Sequence, residues 1–186
     1  MKNSLLFILL VILLVSCTTP EIKKESVSEK NLEVATFAGG CFWCVEEAFE
    51  KYEGVSSVVS GFSGGEEVNP SYKDVTAGTT GHVEVVQVFF DPNVITYHDL
   101  LEIYWREIDP TDNEGSFIDR GKQYRSVIFY HNEEQKQIAE ISKRVFQTKY
   151  EKPIVTEIKE FKAFYQAEEY HQDYYKKNPI RHEVYS

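Results

Sequence analysis

The nine residues His82 to Phe90, HVEVVQVFF, constrain the fold more than any other stretch of this chain. They are β-branched or apolar on both alternating faces, a pattern that suits a strand in the middle of a sheet. Helical periods flank it. In YHDLLEIYWREI, residues Tyr97, Leu100, Leu101, Tyr104, Trp105 and Ile108 recur at i, i+3, i+4, i+7, i+8 and i+11 and predict an amphipathic helix. EVATFAGG (Glu33 to Gly40), VSSVVSGFSGG, YRSVIFYH and VTEIKEFKAFYQA read as further strands, each taken as one element. CVEEAFEKY reads as a helix beginning near Cys41, and NEEQKQIAEISKRVFQTKY as a helix with Asn132 as N-cap and Gln135 three residues on. EEYHQDYYKKN reads as a last helix before Pro179, and Asp109 to Gln123 as a long loop of the kind that often carries function. Interleaved strands and helices define an α+β class, a two-layer mixed or antiparallel sheet with packed helices.

The first 31 residues stand apart. Met1 to Cys17 holds one Lys, then an unbroken apolar run from Leu5 to Val15. That run is short for a membrane span and resembles a signal-peptide core. Its ending, Leu14-Val15-Ser16-Cys17, resembles a bacterial lipobox, which implies cleavage before Cys17 and lipid on that residue. Residues 18–31 are polar and aperiodic and read as a flexible tether. The expected organisation is a leader over 1–16, a lipidated Cys17 and tether over 17–31, and one domain over 32–186. The protein is then an extracytoplasmic, membrane-anchored lipoprotein, expected to act as a monomer. The only methionine is Met1, so the processed chain would contain none. A net charge of −10 argues against nucleic acid as a partner.

Three cysteines are present, and two of them fall in GGCFWC, Gly39 to Cys44. Residues i and i+3 share a helix face, so Cys41 and Cys44 can approach one another at a helix start. A zinc site needs four ligands and one CxxC supplies two; the five His residues are scattered. A structural disulfide across so short a loop stabilises little. Redox catalysis fits best, with Cys41 a nucleophile whose pKa the helix N-terminus should lower. Phe42 and Trp43 suit a small apolar pocket at the reacting atom, or equally core packing.

GCFWC resembles the signature of the A-class peptide methionine sulfoxide reductases. NPSYKDVTAGTTGHVEVVQVFFDP (Asn69 to Pro92), DRGKQYRS (Asp119 to Ser126) and AEEYHQDYYKKNP (Ala167 to Pro179) resemble segments of the same family in the same order. The resemblance implies a ferredoxin-like α+β core with added elements. It implies Cys41 as the attacking cysteine and Phe42 and Trp43 as the grip on the ε-methyl group. Glu84 becomes the acid beside the sulfoxide oxygen, Tyr72 and Tyr124 its hydrogen-bond donors, and Asp119 part of the polar wall. The implied reaction reduces the S epimer of methionine sulfoxide, free or in exported proteins, with no bound cofactor and no metal.

The chemistry suits those residues. A sulfoxide sulfur is a poor electrophile until its oxygen is protonated, so Glu84 must be neutral near pH 7. Alternation puts it on one face with His82, Val86, Val88 and Phe90, mainly apolar neighbours that favour the neutral form; an exposed charge at a strand end is the alternative. Tyr72 and Tyr124 alone would suit packing, and Asp119 a turn. The Cys41 sulfenic acid left behind condenses with a second thiol. Many family members keep that thiol in a C-terminal tail, but NPIRHEVYS has none, so Cys44 is the expected resolver. Recycling then needs a thioredoxin-like partner or dithiothreitol. A general thiol–disulfide oxidoreductase and a non-enzymatic peptide-binding lipoprotein are the rival classes.

Overall fold

In the computed structural model, residues 31–179 are described. The leader, Cys17 and most of the tether lie outside the described residues. A six-stranded sheet forms the centre, built from β1 (Glu33–Ala38), β2 (Val55–Ser63), β3 (Val83–Phe90), β6 (Val127–Tyr130), β7 (Glu157–Glu160) and β8 (Phe164–Gln166). Its order is β7-β6-β1-β3-β2-β8, with every pairing antiparallel except β6 with β7. The helices are α1 (Phe42–Glu50), α2 (Tyr72–Thr76), α3 (Tyr97–Arg106), α4 (Glu133–Gln147) and α5 (Tyr174–Lys177). The inner order β6-β1-β3-β2, with α1 linking β1 to β2 and α3 linking β3 toward β6, is the split βαβ arrangement of ferredoxin-like folds.

β3 is central, as its two-faced apolar pattern predicts. Val86, Val88 and Phe90 join the larger core under the helices, while Val83 and Val85 join a second core with Ala38, Val127 and Phe129 on the opposite face. Phe37 anchors the first core by stacking on Phe49, Tyr97 and Tyr104 at 5.2, 6.1 and 5.1 Å. α3 docks on α4 through Trp105, whose Nε1 donates to Ser142 Oγ at 2.7 Å. Asn132 caps α4 by accepting from Gln135 N at 2.8 Å.

Three segments differ from their sequence reading. VTEIKEFKAFYQA forms two strands, β7 and β8, on opposite edges of the sheet. Phe161 N donates to Tyr130 O beside β6, and two residues later Ala163 O accepts from Ser63 Oγ of β2. Five interstrand gaps in a flat sheet would span about 24 Å, whereas the four steps from Glu160 to Phe164 reach at most about 14 Å. The sheet must therefore roll until its edges meet. Phe161 and Phe164 fill the inside of that roll, and Gly61 admits the Phe164 ring, which would lie 2.4 Å from any Cβ there.

The Asp109 to Gln123 loop contains a small hairpin, β4 (Gly115–Ser116) with β5 (Asp119–Arg120), and then a 3-10 turn over Lys122–Tyr124. The final segment is not one helix. A 3-10 turn, Glu169–His171, is separated from α5 by Asp173 in a left-handed conformation, φ 52°. Long-range polar contacts outcompete helix continuity here. Gln172 bonds Ser60 N and Ser60 O at 2.9 Å each, and Asp173 N donates to Glu46 Oε1 at 3.0 Å.

Glu46 is a buried carboxyl on α1 that also accepts from Ser60 Oγ at 3.3 Å. Burial pushes it up to about 7, against these hydrogen bonds. A carboxyl raised in the folded state loses its contribution as pH climbs from its ordinary value through the folded one. Glu46→Gln should therefore raise Tm at pH 8 by about 3–6 °C and change it little at pH 4.5. Thermal unfolding at the two pH values checks this, and an equal shift at both would count against it.

Candidate active site

β1's pairing with β3 ends at Phe37 opposite Val86. The chain then leaves the sheet at Gly39 and Gly40 and enters α1, so the helix start lies over the next inward-facing position of β3, which is Glu84. Gly40 has φ 103°, and a Cβ there would sit 2.5 Å from Ser116 Cβ, so glycine is required on both counts. Cys41 is the N-cap, and its carbonyl accepts from Cys44 N at 3.2 Å and Val45 N at 3.3 Å. Both cysteines sit on the first turn, half-buried and not in a disulfide.

Glu84 is 1% exposed, and its Oε2 accepts from Phe42 N at 3.0 Å. The carboxyl thus takes one of the backbone donors that a helix N-terminus leaves without an internal partner. Its cross-strand neighbour is Phe62. Burial pushes Glu84 up to about 8; the Phe42 N–H works the other way, and negative charge from Asp119 and Cys44 adds to the rise. The acid is mostly neutral at pH 7.

Tyr72 opens α2 behind the Ser71 cap, and Tyr124 closes the 3-10 turn after β5. Both phenols are raised above their ordinary value, first by burial and then by Glu84. Asp119, in β5, is likewise raised by burial. Glu84, Asp119 and Cys41 all bear electrostatically on both phenols, so four separate chain segments converge on one niche. Phe42 packs into the larger core, yet its ring also stacks on Tyr72 at 6.2 Å. Pocket wall and core are therefore the same residue. The Trp43 indole is stacked on Tyr174 at 3.7 Å and 9°, and its Nε1 donates to His171 Nδ1 at 3.2 Å.

Every predicted site residue within the described region, Cys41, Phe42, Trp43, Cys44, Tyr72, Glu84, Asp119 and Tyr124, belongs to this niche; Cys17 lies outside the described residues. One expectation is corrected. The Cys41 thiol is raised, not lowered: its hydrogen bond to Cys44, burial and the nearby Glu84 carboxyl outweigh the stabilising Trp43 N–H. The same hydrogen bond pulls Cys44 down. His171 and Tyr174 were not singled out in the sequence, although AEEYHQDYYKKNP contains both. Among the described residues, the acidic group most like a metal site is Glu46, Glu50 and Asp173, and there Lys176 Nζ supplies the cation, paired with Glu50 and, at 2.7 Å, with Asp173.

A half-buried thiol, a neutral acid and two phenols around an aromatic notch can protonate and attack a small polar electrophile. The chain belongs to the peptide methionine sulfoxide reductase family, whose pattern matches residues 33–186. Within that family it is an oxidoreductase of the MsrA type. It is 55% identical over 161 residues to the peptide methionine sulfoxide reductase MsrA of Listeria monocytogenes, covering 86% of this chain and 91% of the relative. Reduced Mxr1 from Saccharomyces cerevisiae superposes with a TM-score of 0.77 at 38% identity, covering 80% of this chain and 87% of that one. Mxr1 in complex with Trx2 gives 0.57 at 28% identity, covering 82% and 91%.

Two anions cannot share this buried niche cheaply, so a Cys41 thiolate forms most readily beside a neutral Glu84. At pH 9, where Glu84 is ionised, Glu84→Gln should speed iodoacetamide alkylation of Cys41 by about threefold or more, roughly half a pKa unit of relief. Peptide mapping by mass spectrometry would read this. An unchanged Cys41 rate would show that the carboxylate does not restrain the thiol.

Proposed function

We propose that this MsrA reduces the S epimer of methionine sulfoxide, free or in exported proteins, through a Cys41 sulfenic acid and a Cys41–Cys44 disulfide. The observation that carries this reading is the Glu84 carboxyl held 3.0 Å from Phe42 N, beside Cys41, with burial keeping it protonated to about pH 8.

Phe42 and Trp43 receive the ε-methyl group. Tyr72 and Tyr124 donate to the sulfoxide oxygen, Asp119 completes the polar wall, and Glu84 supplies a proton to that oxygen. The Cys41 sulfur attacks, the S–O bond of the substrate breaks, and the oxygen leaves on Cys41. The balance is one thiol and one sulfoxide giving one sulfenic acid and one thioether, with the Glu84 proton ending on the transferred oxygen and the thiol's proton taking its place on the carboxylate. Glu84 recovers its proton in the process. The Cys44 thiol, three residues on in the first turn of α1, then displaces that oxygen as water and closes the disulfide. A dithiol reductant supplies two electrons and two protons to reopen it. Mxr1, a relative of this chain, was solved in complex with Trx2, which supports a thioredoxin-like partner here. No bound cofactor enters the scheme. The apolar run from Leu5 to Val15 and the Leu14-Val15-Ser16-Cys17 ending support an extracytoplasmic protein anchored through lipid on Cys17.

The soluble domain is expected to turn over S but not R methionine sulfoxide with dithiothreitol, and Cys41→Ser to abolish this. Cys44→Ser should lose turnover driven by thioredoxin while keeping part of the dithiothreitol activity. Wild-type kcat should fall as pH rises through about 8, because the active acid is the protonated one. Glu84→Gln should cost about 10²–10³-fold in kcat and remove that alkaline fall. Equal turnover of both epimers would overturn the stereochemical assignment. Mass spectrometry of the membrane fraction tests Cys17: an unmodified, uncleaved N-terminus would sink the anchor.

A further inference from the structure

At the niche, His171 is a buried polar side chain with half of its hydrogen-bonding capacity unspoken for. His171 is 2% exposed, and its Nδ1 accepts the indole Nε1–H of Trp43 at 3.2 Å. A ring nitrogen that accepts carries no proton, so this neutral imidazole bears its hydrogen on Nε2. That Nε2 is buried with no hydrogen-bond partner. An unmade bond on a buried donor is costly, so the ring is held there by something else. Four aromatic rings do the holding: Tyr72 and Tyr170 at 4.1 Å each, Phe42 at 5.3 Å and Trp43 at 5.6 Å.

We propose that His171 is the positioning residue for the methyl-binding notch, fixing the Trp43 indole in plane through Nδ1 while packing against both Phe42 and Tyr72. The proposal rests on the reading of Phe42 and Trp43 as the walls that receive the ε-methyl group. Each of these contacts has a counterpart in the geometry. Tyr174 backs one face of the indole at 3.7 Å, which sets its tilt. The bond to His171 sets its rotation in that plane, which stacking alone leaves soft. The ring contact with Tyr72 ties the same imidazole to the phenol assigned to the sulfoxide oxygen, so the apolar and polar walls keep a fixed separation. The segment that carries His171 is itself pinned to the sheet by Gln172 on Ser60 and to α1 by Asp173 N on Glu46. The left-handed Asp173 that breaks the last helix is what lets His171 and Tyr174 reach the indole from two sides.

The test uses the chain's two tryptophans, whose indole N–H groups give two separate nitrogen-15 resonances; Trp43→Phe assigns them by loss of one signal. His171→Leu should move the Trp43 indole proton upfield while leaving that of Trp105, bonded to Ser142, in place. It should raise KM for S methionine sulfoxide by about five- to tenfold, the worth of one hydrogen bond, with kcat within about twofold. His171→Asn, whose Oδ1 can stand where Nδ1 stood, should restore most of both. In the Trp43→Phe background the His171→Leu effect on KM should largely vanish, because the bond is already gone. An unmoved Trp43 resonance in His171→Leu, or a KM effect that persists in full in Trp43→Phe, overturns the proposal. A wild-type enzyme with the expected indole bond but no sulfoxide turnover would instead overturn the functional reading beneath it.

Discussion

The hydrogen bond from Phe42 N to Glu84 is the constraint around which the site is organised. It joins the first turn of a helix to the first inward position of the central strand and fixes the Cys41 thiol relative to the Glu84 carboxyl. A carboxyl here escapes water almost completely, so burial outweighs the backbone donor and keeps the proton on. Were the group exposed, it would ionise at neutral pH and the thiol would face a like charge. Acid strength and nucleophile position therefore come from one packing arrangement.

That arrangement depends on where β1 stops. Two glycines end its ladder before Glu84 would acquire a backbone neighbour on that side, and the helix fills the gap. Ser116 of the small hairpin closes against Gly40, and the hairpin's other strand brings Asp119 to the niche. The long segment between α3 and β6 thus contributes a wall and a support at once. The Cys41 thiol, raised by its surroundings, rests in the protonated form.

Much of this was legible in the sequence because its determinants are local. The two-faced apolar run placed β3 at the centre, and its alternation put Glu84 on the face that Val86, Val88 and Phe90 share, the one turned to the helices. The capping residues of α4 stand where the sequence put them. What was not legible depends on contacts far apart in the chain. The split of VTEIKEFKAFYQA follows from sheet curvature, which no local period encodes. The break in the last helix follows from Ser60 and Glu46, more than 100 residues earlier. The sign of the Cys41 shift was missed because a helix N-terminus lowers a thiol only when a hydrogen bond to a second thiol, burial and a neighbouring carboxyl do not exceed it. His171 was passed over for a related reason: a lone histidine in a polar, aromatic stretch shows nothing until its indole partner is seen.

The three-residue bridge Phe161–Ala163 has a consequence for how the domain assembles. Both strands it connects take their places only against partners already laid down, β7 on β6 and β8 on β2. The roll can be sealed only after the four inner strands have paired, since neither outer strand has a template before then. Sealing also draws the two outer strands together, so the sheet presents little open rim to a second copy of the chain.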